Sequence, residues 1–147
     1  MTTVALIVGS VLGTALDVAE QIQDALVSQG YTVILSDRSS QLPDADFLLF
    51  CTSTTGRGHL PNGLLPLVNE IKEHRANVSE RRYGLVALGD SRYSTFCGAG
   101  RYLDELLTAQ GAIKVGKRLE LDASDGTYPD EEALAWLSQW LIAVKAS

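Results

Sequence analysis

Leu85-Val86-Ala87-Leu88 runs directly into Gly89-Asp90-Ser91-Arg92-Tyr93-Ser94-Thr95-Phe96-Cys97-Gly98-Ala99, and this passage decides the fold. The apolar run reads as a strand buried on both faces. The polar segment ends where a helical pattern begins, near Cys97. Strand, short loop and helix in that order form the repeating unit of an open α/β sheet, whose ligands bind at the carboxyl ends of the strands. There, backbone N–H groups and the flat face of Tyr93 could meet a planar polar ring. A buried, purely structural Tyr93 is an equal alternative on these residues alone.

The same unit recurs outward from this passage. Val4–Val8, Tyr31–Leu35 and Phe47–Cys51 are further continuous apolar runs, predicted as strands buried on both faces. Ile113–Val115 and Leu119–Leu121 read as pieces of a fifth strand, broken at Gly116-Lys117. A first helix is predicted from Gly13-Thr14, with Ala15, Val18, Ala19, Ile22 and Leu26 on one face and Gly30 as its stop. A second spans about Leu64 to His74, with Pro66 tolerable in its first turn. A third spans Cys97 to Gln110, and a last opens at Pro129-Asp130-Glu131-Glu132 and ends near Lys145, acids first and base last. Trp136 and Trp140 share a face of that last helix, which predicts packing on the sheet rather than cofactor contact. Alternation with such short connections predicts a doubly wound parallel sheet, as one domain over residues 1–147.

Composition narrows the function. A net charge of −6 and the lack of a Lys/Arg cluster argue against nucleic acid. An acidic surface suits a basic protein partner. No apolar run approaches the roughly 20 residues of a bilayer span, and the start lacks the basic region of a signal peptide, so a cytoplasmic protein away from membranes is expected. Cys51 and Cys97 form neither a disulfide framework nor a metal pattern and read as free thiols.

Three strand-to-helix loops should converge at the carboxyl edge. Gly9-Ser10-Val11-Leu12-Gly13-Thr14 opens the first helix, whose free N–H groups would attract an anion such as a phosphate, with Ser10 and Thr14 adding hydroxyls. An ordinary glycine turn explains that loop as well. It fits neither a dinucleotide fingerprint nor a P-loop. Ser53-Thr54-Thr55-Gly56-Arg57-Gly58-His59 follows the third strand and reads as a mobile loop, with His59 able to titrate near neutrality. The third loop is the opening passage.

With all three loops in view, the chain resembles the flavodoxin family over essentially its whole length. The Gly89–Ala99 passage matches the family's isoalloxazine loop, and the uninterrupted approach to the last helix resembles the short-chain class, nearest in wording to its MioC-like members. The resemblance implies a flavodoxin-like doubly wound five-stranded parallel sheet, order 2-1-3-4-5, with helices on both faces. It implies FMN as cofactor and a one-electron carrier between an NADPH-dependent flavoprotein reductase and an acceptor enzyme, acting as a monomer. Carried over by position, Ser10, Val11, Leu12, Gly13, Thr14 and Ala15 would hold the phosphate. Ser53 would extend the phosphate and ribityl contacts, within a second loop of Thr54, Thr55, Gly56, Arg57 and Gly58. Tyr93 would stack on the ring, in a loop that includes Gly89 and Phe96, while backbone groups of Asp90 and Cys97 bond its pyrimidine edge. Gly56 would turn its carbonyl toward flavin N5, since a peptide bordered by glycine reorients at little steric cost. Acids including Asp90 would disfavour negative charge on reduced flavin.

The chain departs from the family pattern in its apolar Val11, Leu12 and Ala15, in Thr55 where an aromatic is usual, and in the basic Arg57 and His59. Two other readings use the same fold: an FMN-dependent reductase of quinone-type acceptors, with room above Thr55, and a flavin-free interaction protein. Gly9-Ser10 and Cys51-Thr52, where a receiver domain needs acids, argue against phosphotransfer.

Overall fold

A computed structural model describes residues 2–11, 13–55, 57–124 and 128–147. In chain order the elements are β1 (Thr3–Gly9), α1 (Thr14–Ser28), β2 (Thr32–Ser36), β3 (Phe47–Thr52), α2 (Leu65–Lys72), β4 (Arg82–Gly89), α3 (Gly98–Ala109), β5 (Ile113–Lys114), β6 (Leu119–Asp122) and α4 (Pro129–Ala146). Every strand pairing is parallel, in the order β2-β1-β3-β4. Both β5 and β6 pair with β4 on its far side, so together they form the interrupted fifth strand that the sequence predicts. The order 2-1-3-4-5 holds, with its last strand in two pieces.

The side-chain period of two divides the strands between two cores. Val4, Leu6 and Val8 of β1 pack with Val18, Ile22 and Leu26 of α1 and Leu137, Trp140 and Leu141 of α4. Ala5 and Ile7 face the other way, with Leu67 and Ile71 of α2 and Leu103 and Leu107 of α3. Helices therefore cover both faces. The buried face of α1 is the predicted set, and Gly30, at φ +93°, follows its end. Strand β2 differs from expectation. Continuous apolar sequence predicted burial on both faces, yet Thr32 and Ile34 are exposed. As the edge strand it has a neighbour on one side only, and its β propensity serves pairing rather than burial.

Both tryptophans are structural. Trp140 is buried against Gly84, where any Cβ would collide with the indole. Trp136 stacks on Trp140 with centroids 5.8 Å apart, and its Nε1 donates to the Lys117 carbonyl at 2.8 Å. That bond anchors the break in the fifth strand.

A chain of charges replaces the ladder lost at the break. Asp104 of α3 accepts hydrogen bonds from Tyr83 of β4, Lys114 of β5 (3.0 Å) and Arg118 (2.6 Å). Arg118 continues to Glu120 of β6 at 3.1 Å, and Glu120 also receives two bonds from Arg101, at 2.8 and 2.9 Å. Burial alone would raise the Asp104 pKa, but the three donors outweigh it and hold the carboxyl below its ordinary value. A depressed native pKa gives stability that is present above the unfolded value, about 3.9, and is lost as pH falls through the native one. Asp104→Asn should therefore cost about 1.5–3 kcal/mol in urea unfolding at pH 7, the scale of hydrogen bonds to a charged group. The gap between variant and wild type should shrink below about pH 4; a gap that stays constant down to about pH 2 would remove Asp104 as the acid-sensitive contact.

Candidate cofactor site

Parallel register brings three loops to one edge. Gly9 aligns with Thr52, and Thr52 with Ala87. Strand β4 runs two residues further, to Gly89, which pairs with Asp122. A cavity of about 390 Å³ opens there, within the range of small-molecule sites. The first loop contributes Val11 and Thr14, the second Ser53, Thr54 and Thr55, and the third Gly89, Asp90, Tyr93, Thr95 and Phe96. Leu88, Leu121, Asp122, Ala123 and Pro129 complete the wall.

At the first loop, Gly13 is the residue before α1, with φ +87° and no side-chain cap on the helix. Uncapped first-turn N–H groups carry the positive end of the helix dipole. The Ser10 hydroxyl of the same loop is buried without a hydrogen-bond partner among the described residues. An orphaned buried donor costs free energy unless a ligand satisfies it. Thr14 and Val11 are exposed, while Ala15 is fully buried under the loop. Leu12 lies outside the described residues.

The second loop is closed rather than free. Thr55 N–H donates to the His59 carbonyl at 3.0 Å, and Gly58 N–H to the Thr55 carbonyl at 2.9 Å. His59 N–H donates to the Thr55 hydroxyl at 3.1 Å. Thr55 thus ties its own loop together. Arg57 and His59 are exposed and do not line the cavity, and Gly56 lies outside the described residues. Thr54 accepts the Ala99 N–H at 3.3 Å, and a Cβ at Gly58 would sit 3.0 Å from Thr95, so the second and third loops pack together.

In the third loop Tyr93 is 59% exposed and lines the cavity. The buried alternative for this residue is thereby excluded. A Cβ at Gly89 would lie 2.6 Å from the Cys97 nitrogen, so only glycine lets the loop fold back so closely. Cys97 precedes α3 in left-handed backbone, φ 51°. Among the described residues no hydrogen bond uses the N–H of Asp90 or of Cys97. The Phe96 ring lines the cavity with the Arg101 guanidinium 5.4 Å from its centroid.

Among the described residues, two carboxylates edge the cavity, Asp90 and Asp122. Hydrogen bonds from the Arg92 side chain and backbone hold the Asp90 carboxyl below its ordinary range. Hydrogen bonds from Ser91 and Ser124 lower that of Asp122 further. Asp122 and its neighbours Leu121 and Ala123 were missed by reasoning from three loops. They end the fifth strand at the same edge, and the rule that strand ends face the site would have found them.

A cavity at the carboxyl edge of a doubly wound parallel sheet is where open α/β proteins bind their ligands, and it places the chain in that class. The family profile described as Flavodoxin matches residues 6–136. The chain is similar to Flavodoxin YqcA of Escherichia coli (strain K12), 39% identical over 95% of this chain and 97% of that protein. It is 33% identical to Protein MioC of the same organism, over 99% and 100%. The solved structure of a cysteine-to-alanine mutant of flavodoxin from Pseudomonas aeruginosa superposes with a TM-score of 0.88 at 35% identity, covering 97% of this chain and 99% of that one. The chain belongs to the flavodoxin family. Flavodoxins bind FMN and are electron-transfer proteins rather than enzymes. The residues present fit that group: among the described residues, an uncapped helix start and the partnerless Ser10 hydroxyl suit its phosphate, and an exposed tyrosine on the cavity wall suits its ring.

Both thiols are free and buried. Burial pushes both Cys51 and Cys97 up to about 12. At about pH 8 the folded protein should leave both unmodified by Ellman's reagent over minutes, and both should react at once in guanidinium. Prompt reaction of one thiol in the folded protein would contradict the burial of that residue.

Proposed function

We propose that this chain is a one-electron carrier that takes electrons from an NADPH-dependent flavoprotein reductase and passes them to an acceptor enzyme. Bound FMN supplies the one-electron chemistry, and the protein's residues bind it, orient it and set its surroundings. The observation that carries the reading is the exposed Tyr93 on the cavity wall, in a loop where, among the described residues, no hydrogen bond uses the N–H of Asp90 or Cys97. In this assignment the first-turn N–H groups of α1, through Ala15, and the hydroxyls of Ser10 and Thr14 hold the phosphate. Ser53 extends those contacts toward the ribityl chain. Tyr93 stacks on the ring, and the backbone of Asp90 and Cys97 bonds its pyrimidine edge. With Thr55 turned into its own loop, the second face of the ring is less covered than an aromatic would make it.

The net charge of −6 supports a basic docking face on the reductase. Among the described residues no helix is long and apolar enough to cross a membrane. Two buried free thiols suit a reducing cytoplasm, which is the compartment we assign. A single-domain monomer is the simplest assembly, because one sheet serves both cores.

Anaerobic photoreduction of the FMN-loaded protein, followed by visible absorption, should resolve two one-electron steps. A single two-electron step, together with NADPH oxidation by the protein alone, would favour a small-acceptor reductase instead. Tyr93→Ala should weaken FMN binding on the order of 10–100-fold in a fluorescence titration, the scale of losing one aromatic stacking contact. An unchanged dissociation constant would move the ring away from Tyr93.

A further inference from the structure

Arg92 stands out among the charges near the cavity because its partner belongs to the wall. Asp90 lines the cavity, and both of its carboxylate oxygens are held by Arg92. Nε lies 2.9 Å from Oδ1 and 3.1 Å from Oδ2, and Nη2 reaches Oδ2 at 2.5 Å. The Arg92 backbone N–H also donates to Oδ1 at 3.0 Å, closing a turn that fixes the carboxylate toward its own loop. The Asp90 side chain is 17% exposed and that of Arg92 is 72% exposed. The carboxylate thus sits at the site with the guanidinium on its solvent side. Among the described residues, the other charge close to the pair is Asp122, which lines the same cavity and accepts hydrogen bonds from Ser91 and Ser124.

We propose that Arg92 tunes the redox potential of the bound cofactor, by pairing with the carboxylate that borders its ring. The inference rests on the FMN placement proposed above. When one electron arrives and no proton follows, no bond forms or breaks and the added negative charge stays on the cofactor. A bare carboxylate beside it opposes that charge, whereas a carboxylate paired with a guanidinium opposes it far less. Arg92 therefore offsets the electrostatic penalty that Asp90 would otherwise impose. Lysine would keep the charge but lose the two-pronged grip.

Charge arithmetic gives the test a signature that loop disruption would not share. Arg92→Gln leaves Asp90 unpaired and should shift the lower one-electron potential to a more negative value. Asp90→Asn leaves Arg92 unpaired and should shift it to a more positive value. The double variant should return close to the wild type. Because the pair is near the surface, both shifts should shrink between about 0.05 and about 1 M salt, as the screening length falls from above ~10 Å to about 3 Å. Equal-sign shifts in the two single variants, or none in Arg92→Gln, would overturn the proposal. If Arg92→Gln released FMN, Arg92→Met, which keeps the aliphatic stem and removes the charge, would be measured in its place, with the same negative shift expected and no shift overturning the proposal.

A cofactor-free readout is the carbon-13 titration of the Asp90 carboxyl in the apoprotein. It should titrate below the ordinary range in the wild type and move up toward it in Arg92→Gln. No movement would mean that the pair does not form. The two readings fail separately. An unchanged FMN affinity in Tyr93→Ala removes the ring placement, while weakened affinity there with unshifted potentials here removes only the role of Arg92.

Discussion

Parallel pairing of β1, β3 and β4 in one register is the constraint from which the site follows. A parallel neighbour cannot be reached by a tight turn, so each strand must leave through a loop and return through a helix. All such exits lie at the same edge. With Gly9, Thr52 and Ala87 aligned, the loops after them are forced side by side without any direct selection for their contact. Glycine then sets how closely they approach. Gly89 lets the third loop fold back on its own strand until Cys97 lies over it, and Gly58 packs on Thr95. The cavity is what remains between backbones that cannot come closer.

The fifth strand shows how the fold tolerates a weak edge. Ile113–Lys114 and Leu119–Asp122 are too short to hold their places by ladder bonds alone. Side chains take over: Trp136 ties the break from α4, and the chain from Asp104 through Arg118 to Glu120 and Arg101 ties it from α3. That chain ends beside Phe96, and β6 ends at Asp122, both on the cavity wall. The brace that holds the edge strand therefore also fixes two sides of the site.

Much of this was legible in the sequence because it depends on periodicity and local chemistry. The face of α1, both pieces of the fifth strand and the shared face of Trp136 and Trp140 follow from spacing alone. The exposure of β2 was not legible, since an edge position depends on strand order and not on the residues of Thr32–Ser36. Closure of the second loop was hidden for a similar reason. Thr55 is an ordinary loop residue whose hydroxyl gains meaning when His59 N–H is brought within 3.1 Å. The Asp90–Arg92 pair lies two residues apart and could have been read from the sequence. The position of that carboxylate on the cavity wall could not.

The central claim is that FMN occupies the edge formed by the loops after β1, β3 and β4. Nitrogen-15 amide spectra of the apoprotein, recorded as FMN is added, test it most directly. The largest shifts are expected at Thr14, Ala15, Ser53, Asp90 and Cys97. Saturable shifts centred elsewhere, for example on the polar groove lined by Ser40, Gln41, Glu70 and Asn77, would contradict it.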